Sequence, residues 1–282
     1  MRMSVYLRPQ TLTDATRILA SQGGTILSGG TDFFPGLADR PVTGTVIDIS
    51  GIREMRGIRT TPAEIRIGGL TTWSEVVSSP LPRCLDALKS AAREIGGIQI
   101  QNRGTVAGNL CNASPAADGV PPLLALDAEV ELASSKDTRR MPLGEFIVGN
   151  RRTLRRADEI LSAVIVPRTL DDAASVFLKL GARRYLVISI AMVAAVILVD
   201  ERRQVSAARV AVGSCSATAQ RLKTLEQDLI GLPAQTGLGA KVTSQHLSPL
   251  SPISDVRATA GYRTDATLTL ISRALESCVR SG

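Results

Sequence analysis

The sequence predicts an α+β protein, and three observations carry that prediction. Short Val- and Ile-rich runs alternate with helical 3–4 spacing over the first part of the chain, whereas the last third gives three strand-like runs and two helices. Two loops dense in small residues interrupt this pattern where a ligand could be held. At 282 residues and 44% hydrophobic content, the chain can build real cores in one large domain or a few small ones.

Taken in order, Val5-Tyr6-Leu7 reads as a strand. Ala15, Ile18 and Leu19 lie on one helical face, with Thr13 and Asp14 as plausible helix-start residues, and Thr25-Ile26-Leu27 and Val46 to Ile49 are further strands. This is a βαβ-type unit. A second α/β segment covers roughly residues 57–167. In it, alternation at Ile65-Arg66-Ile67 marks a strand, Trp73 to Val77 enters a helix, and Leu85, Leu88, Ala92 and Ile95 form the apolar face of another. Leu123 to Leu126 follows Pro121-Pro122, and strands are expected at Glu129 to Ala133 and Ile160 to Val166. Pro167-Arg168 with Asp171-Asp172 makes a natural boundary. Beyond it, Val176 to Leu180, Ile188 to Val199 and Val205 to Val212 predict three strands joined as hairpins, with Asp200 to Arg203 as one polar turn. Helices over Thr218 to Ile230 and about Asp265 to Val279 close the chain.

The two loops are Ser28-Gly29-Gly30-Thr31-Asp32 and the longer stretch from Gln101 to Asp118. Glycine allows positive φ and lets main-chain N–H groups approach a ligand with no Cβ in the way. Successive N–H groups in such turns form a nest for anions, and the unpaired donors of a following helix add to it. Gly29, Gly30 and Gly108 are therefore candidate anion contacts in two halves of a cradle, although such clusters also occur as ordinary turns. Neither loop follows G-x-G-x-x-G or G-x-x-x-x-G-K-[ST], which argues against a common Rossmann or P-loop site.

Composition excludes several classes. The net charge of +7 permits acidic partners, yet aromatic residues make up only 3%, too few for base-stacking platforms, so nucleic-acid binding is not expected. The densest basic patch, Arg151-Arg152 with Arg155-Arg156, reads first as a solvated loop and second as a docking surface for an acidic subunit. Cys84, Cys111, Cys215 and Cys278 are widely spaced, so no metal or iron–sulfur site is signalled and a reducing, cytoplasmic setting is expected. No signal peptide is expected, and the longest apolar run, Val187 to Val199, is too short to span a bilayer and favours a buried strand. His246, in the polar stretch SQHLSPLSP, is expected to be exposed and inert.

Five segments, in order, carry a resemblance: TILSGGTDFFPGL from Thr25, IQNRGTVAGNLCNASPAADGVPPLLALDAEVEL ending at Leu132, DEILSAVIVP from Asp158, FLKLGARR from Phe177, and DVRATAGYRTDATLTLISRAL from Asp255. Across nearly its whole length the chain resembles the medium, FAD-binding subunit of the molybdenum hydroxylase family, which includes xanthine, aldehyde, carbon monoxide and nicotinate dehydrogenases. The resemblance implies a two-subdomain FAD-binding region of the vanillyl-alcohol oxidase (PCMH) type over residues 1–167, with subdomains of about 1–56 and 57–167. A small C-terminal domain over 168–282 would follow, with a three-stranded antiparallel sheet and helices, and the cofactor would lie between the two.

Carried over by position, Ile26, Leu27, Ser28, Gly29, Gly30, Thr31, Asp32 and Phe33 would form one cradle, and Thr105, Val106, Ala107, Gly108 and Asn109 the other, gripping the FAD pyrophosphate from both sides. Ile95 would sit against the cofactor and Leu161 would pack near it. Asp118 would accept hydrogen bonds from cofactor hydroxyls, and Lys179 would approach as a cation from the C-terminal domain. The residues alone leave Asp118 open as a helix cap, Lys179 as a surface residue, and Cys111 as a small packed side chain. Tyr185 is the nearest aromatic to the place where some relatives set a ring beside the flavin.

The implied activity is that of an oxidoreductase subunit with no catalytic residue of its own, passing electrons from the [2Fe–2S] clusters of a partner through FAD to an external acceptor. The implied partners are a large molybdopterin-binding subunit, where substrate is hydroxylated, and a small subunit with two [2Fe–2S] clusters, as a heterotrimer or a dimer of heterotrimers. Two other classes stay open at this point: a stand-alone FAD-dependent oxidase of related fold, and a flavin-free binding module.

Overall fold

The computed structural model describes residues 5–281 of the chain. The first unit contains β1 (Val5–Leu7), α1 (Leu12–Gln22), β2 (Thr25–Leu27), the short α2 (Phe33–Leu37) and β3 (Thr45–Asp48). Its strands form a parallel sheet in the order β1-β3-β2, so the βαβ expectation holds. Helix α1 starts at Leu12, one or two residues earlier than Thr13 or Asp14 suggested. Thr11 is the N-cap, its hydroxyl accepting from the Asp14 N–H, while Asp14 sits in the first turn where the helix dipole favours it. Ala15 and Leu19 pack against Ile47, Ile49, Ile52 and Leu70.

The second unit contains β4 (Ile58–Thr60), β5 (Glu64–Gly68), α3 (Trp73–Ser78), α4 (Asp86–Glu94), α5 (Ile98–Gln101), α6 (Val106–Asn112), α7 (Val120–Ala125), β6 (Glu129–Ala133), β7 (Thr138–Pro142), α8 (Leu143–Phe146), β8 (Ile147–Gly149), β9 (Arg152–Thr153) and β10 (Ile160–Pro167). Five strands make one sheet in the order β4-β5-β10-β6-β7, every neighbouring pair antiparallel, and β8 and β9 form a separate small hairpin. Strand β10, buried along nearly its whole length, is the central strand. Thr72 closes a capping box on α3, its hydroxyl accepting from the Glu75 N–H while the Glu75 carboxylate accepts from the Thr72 N–H.

The last third holds β11 (Ala174–Leu180), β12 (Ala191–Val199), β13 (Val205–Gly213), the two-residue β14 (Gln220–Arg221), α9 (Lys223–Leu229) and α10 (Ala260–Ser281). The antiparallel sheet therefore has four strands, because β14 takes residues expected to begin a helix. The β14–α9 corner is fixed by Arg221, which pairs with the buried Glu226 at 2.5 Å and with Asp127 at 2.7 Å.

The apolar run ending at Val199 is buried on both faces of β12. Met192, Ala194 and Val196 join the core of the second unit, and Ala191, Val193, Ala195 and Ile197 join the core beneath α9 and α10. An antiparallel strand thus reads as continuously apolar, a pattern more usual in parallel sheets.

His246 is a correction to the sequence expectation. It is buried, its Nε2 lies 3.0 Å from Asp228 Oδ2, and its Nδ1 accepts the Thr243 N–H at 3.0 Å. The ring ties a short helical turn to α9, so it has a structural task rather than an exposed position.

Candidate functional site

A cavity of about 610 Å³ opens between the first two units, a size within the roughly 300–1,000 Å³ of small-molecule sites. It is lined by Ile26, Leu27, Ser28, Gly29, Gly30, Thr31, Asp32 and Phe33, and also by Thr105, Ala107, Gly108 and Asn109. Ile95 and Leu161 line it too. Sequences far apart in the chain are thus brought to one wall. Three expected residues lie outside the lining: Val106, which is fully buried, Asp118 and Lys179.

Contact between the two loops explains the glycines. A Cβ on Gly29 would sit 2.1 Å from the carbonyl oxygen of Arg103, so only glycine lets the backbones meet there. Gly30 has φ +78, a left-handed conformation that favours glycine. The Ser28 and Thr105 hydroxyls lie 3.2 Å apart across the seam, and a Cβ on Gly108 would crowd both.

The donors are distributed differently from expectation. The first-turn N–H groups of α6 are all paired: Val106 with the Thr71 carbonyl, Ala107 with that of Gly69, Gly108 with the Thr105 hydroxyl at 3.0 Å, and Asn109 with the Thr105 carbonyl. The free-donor argument for this helix therefore fails, because the strand–loop junction at Gly69–Thr71 already satisfies it. By contrast, the backbone N–H groups of Ser28 through Asp32 donate to no acceptor among the described residues. Such groups are rarely left unpaired away from water or a ligand. Inside the second half, Asn109 offers a buried Oδ1 with no partner.

Asp118 neither caps α7 nor stands free. Its Oδ2 accepts from Lys179 Nζ at 2.6 Å and its Oδ1 from the Ser189 hydroxyl at 2.6 Å. Burial pushes its carboxyl up, against the opposing pull of the Lys179 ammonium and the Ser189 hydroxyl. The Lys179 side chain, only 7% exposed and so no surface group, also donates to the Glu94 carbonyl at 3.2 Å. The pair thereby fixes the residue just before Ile95 to β11. Every lining residue precedes position 162, so the cavity lies between the first two units rather than against the C-terminal sheet. Tyr185 is half exposed and outside the lining.

Sequence reasoning missed Trp73, Ile100, Arg151, Thr153 and Arg155, all of which line the cavity. Arg151 and Arg155 belong to the patch read as a solvated loop. Of the two, Arg155 donates to the carbonyls of Arg156 and Glu159. Cys111 also lines the cavity. Burial pushes its thiol up to about 11 despite the nearby Arg155, so it stays protonated and unreactive near neutral pH.

Among the described residues no cluster of His, Cys, Asp and Glu could hold a metal ion. The arrangement can hold an elongated anionic ligand, because one lining contains the unpartnered amides, two arginines and an apolar group of Trp73, Ile95 and Ile100.

Comparison with known proteins agrees. Residues 1–169 match the family described as "FAD binding domain in molybdopterin dehydrogenase", and residues 176–278 match "CO dehydrogenase flavoprotein C-terminal domain". The chain is 35% identical over 236 residues to the nicotinate dehydrogenase FAD-subunit of Eubacterium barkeri, covering 81% of this chain and 80% of that protein. It is 31% identical over 283 residues to the xanthine dehydrogenase FAD-binding subunit of Escherichia coli O157:H7, covering 97% and 95%. The structure of carbon monoxide dehydrogenase from Hydrogenophaga pseudoflava superposes with a TM-score of 0.88 at 27% identity, covering 99% of this chain and 97% of that one. An FAD-binding domain followed by a flavoprotein C-terminal domain, joined over almost the whole length to dehydrogenase FAD subunits, places this chain in the family of FAD-binding medium subunits of the molybdenum hydroxylases.

Proposed function

We propose that FAD occupies the cavity between the first two units, and that the chain hands on electrons delivered by the iron–sulfur clusters of a partner subunit to an external acceptor. The observation that carries this reading is the row of unpartnered N–H groups from Ser28 to Asp32, held against the Thr105–Asn109 segment by the glycine contact at Gly29. These residues fit a pyrophosphate, and the unpartnered Asn109 Oδ1 fits a hydroxyl or N–H donor of the same ligand. When bound, FAD supplies the exchange of electrons between one-electron and two-electron partners.

The chain's own residues bind and orient. Ile26 to Phe33 wrap one side, while Thr105, Ala107, Gly108 and Asn109 wrap the other, with Val106 buried behind them. Ile95 and Leu161 supply apolar packing. Asp118 and Lys179 act in this reading by bracing the segment before Ile95. No acid–base pair is required of a module that transfers electrons.

The proposal extends to the assembly. Residues 1–167 form the FAD-binding region and 168–282 the C-terminal domain, in line with the two family matches. The partners are a large molybdopterin-binding subunit and a small subunit with two [2Fe–2S] clusters, in a cytoplasmic heterotrimer or dimer of heterotrimers. Relatives that are named as subunits or medium chains of dehydrogenases support this, and no described helix is long and apolar enough to cross a membrane.

Affinity purification of the tagged chain from its native source tests the reading. We expect a large and an iron–sulfur-containing small chain to co-purify, with dye reduction by the complex and none by the chain alone. A chain that oxidises a substrate unaided would overturn it in favour of a stand-alone oxidase.

A further inference from the structure

Arg151 is the one arginine of its loop that both lines the cavity and leaves its guanidinium unpaired among the described residues. Arg139, Arg140, Arg155 and Arg156 all place their guanidinium groups on carboxylates or carbonyls, whereas those of Arg151 and Arg152 have no hydrogen bond or ion pair among the described residues, and of these two Arg151 alone is in the cavity lining. Its backbone is held at φ +55, in the turn between β8 and β9, with its N–H donated to the Ala113 carbonyl at 3.0 Å. Ala113, at the end of α6, is itself left-handed at φ +47. Glycine or asparagine would take the Arg151 conformation more easily, so the turn holds this side chain at a backbone cost.

The surrounding loop is braced. Leu154 N–H bonds to the Phe146 carbonyl, and buried Glu159 accepts from Arg139 at 2.6 Å and from the Arg156 N–H at 2.7 Å. A fixed turn therefore sets a free, planar, permanently charged fork at the cavity wall. The other charged lining residues are Arg155 and Asp32, so the lining carries net positive charge.

We infer that Arg151 is the cationic arm of the cofactor site, pairing with the pyrophosphate of FAD alongside the Ser28–Asp32 amides; this rests on the FAD reading above. A guanidinium matches phosphate oxygens in a bidentate geometry and strengthens in a partly enclosed site.

The test uses the full chain freed of flavin, titrated with FAD, ADP and adenosine. Arg151→Asn keeps a residue that accepts the left-handed turn but removes the charge, and Arg151→Lys restores the charge without the fork. For Arg151→Asn we expect FAD and ADP to bind about ten-fold or more weakly and with a flatter salt dependence. Adenosine binding and the melting temperature of the flavin-free chain should not fall, and Arg151→Lys should recover part of the loss. Wild-type affinity and salt dependence in Arg151→Asn overturn the inference, as does an equal loss for adenosine, which would indicate a disturbed turn. If the unaltered chain binds neither FAD nor ADP, the FAD reading itself falls and takes this one with it.

Discussion

Gly29→Ala is the most sharply defined perturbation of the site. The new Cβ would lie 2.1 Å from the Arg103 carbonyl oxygen, 2.8 Å from its carbonyl carbon and 3.0 Å from the Gly104 Cα. All three are backbone atoms, so no side chain can swing away. Normal carbon contact distances require the loops to part by roughly 1 Å, and overpacking of this kind costs about 1–3 kcal/mol of stability. Parting them also stretches the 3.2 Å contact between Ser28 and Thr105 and moves the Ser28–Asp32 amides off any ligand held by the opposite wall. Losing one or two hydrogen bonds to a charged group, at about 1.5–3 kcal/mol each, predicts at least a ten-fold loss of FAD affinity. Flavin fluorescence titration of the flavin-free chain measures the affinity, and thermal denaturation measures the stability. An alanine variant that melts and binds FAD like the unaltered chain would show that the loops do not meet as described.

Further outcomes follow from other contacts. Thr105→Ala removes the hydroxyl that caps α6 through the Gly108 N–H and should cost about 1 kcal/mol in chemical denaturation. Lys179→Met leaves the buried Asp118 carboxyl without its cation and should cost about 3–5 kcal/mol, with Asp118→Asn in the same chain recovering much of it; no recovery would mean that the two groups are not coupled. Acid should destabilise the fold. Burial pushes Glu159 up, but hydrogen bonds and charge from Arg139 and Arg156 outweigh it and hold the carboxyl below its ordinary range, and Asp48, Glu131 and Asp255 are likewise lowered. Groups lowered in the fold contribute stability above their unfolded values, near pH 4, and lose it as pH falls through the lower folded values. Asp118, raised by burial, contributes with the opposite sign. Unfolding free energy should therefore drop below about pH 4, and Glu159→Gln should flatten that drop.

The sequence reveals what local chemistry dictates and misses what distant partners decide. β12 is legible because its run is apolar throughout, β10 because only Ser162 interrupts its run, and the glycine loops because backbone freedom is a local property. By contrast, β7, with its sequence TRRMP, carries two arginines at a sheet edge, and β14 has two polar residues, so neither shows an apolar pattern. His246 looks idle in its polar surroundings because Asp228, its partner, lies in another helix. The same holds at the cavity. Its glycines announce a ligand, but the pairing of the α6 donors with Gly69 and Thr71, and the arrival of Arg151 beside the end of α6, depend on contacts between segments far apart in the chain. The glycine pattern supports an anion, and the family relationship specifies FAD.

The central claim is that this chain carries FAD, and flavin content tests it most directly. The purified chain or its complex should absorb near 450 nm, a band typical of flavins (approximate value), and acid should release FAD in equal molar amount to the chain. A colourless preparation that releases no FAD, and takes none up on titration, would contradict the account.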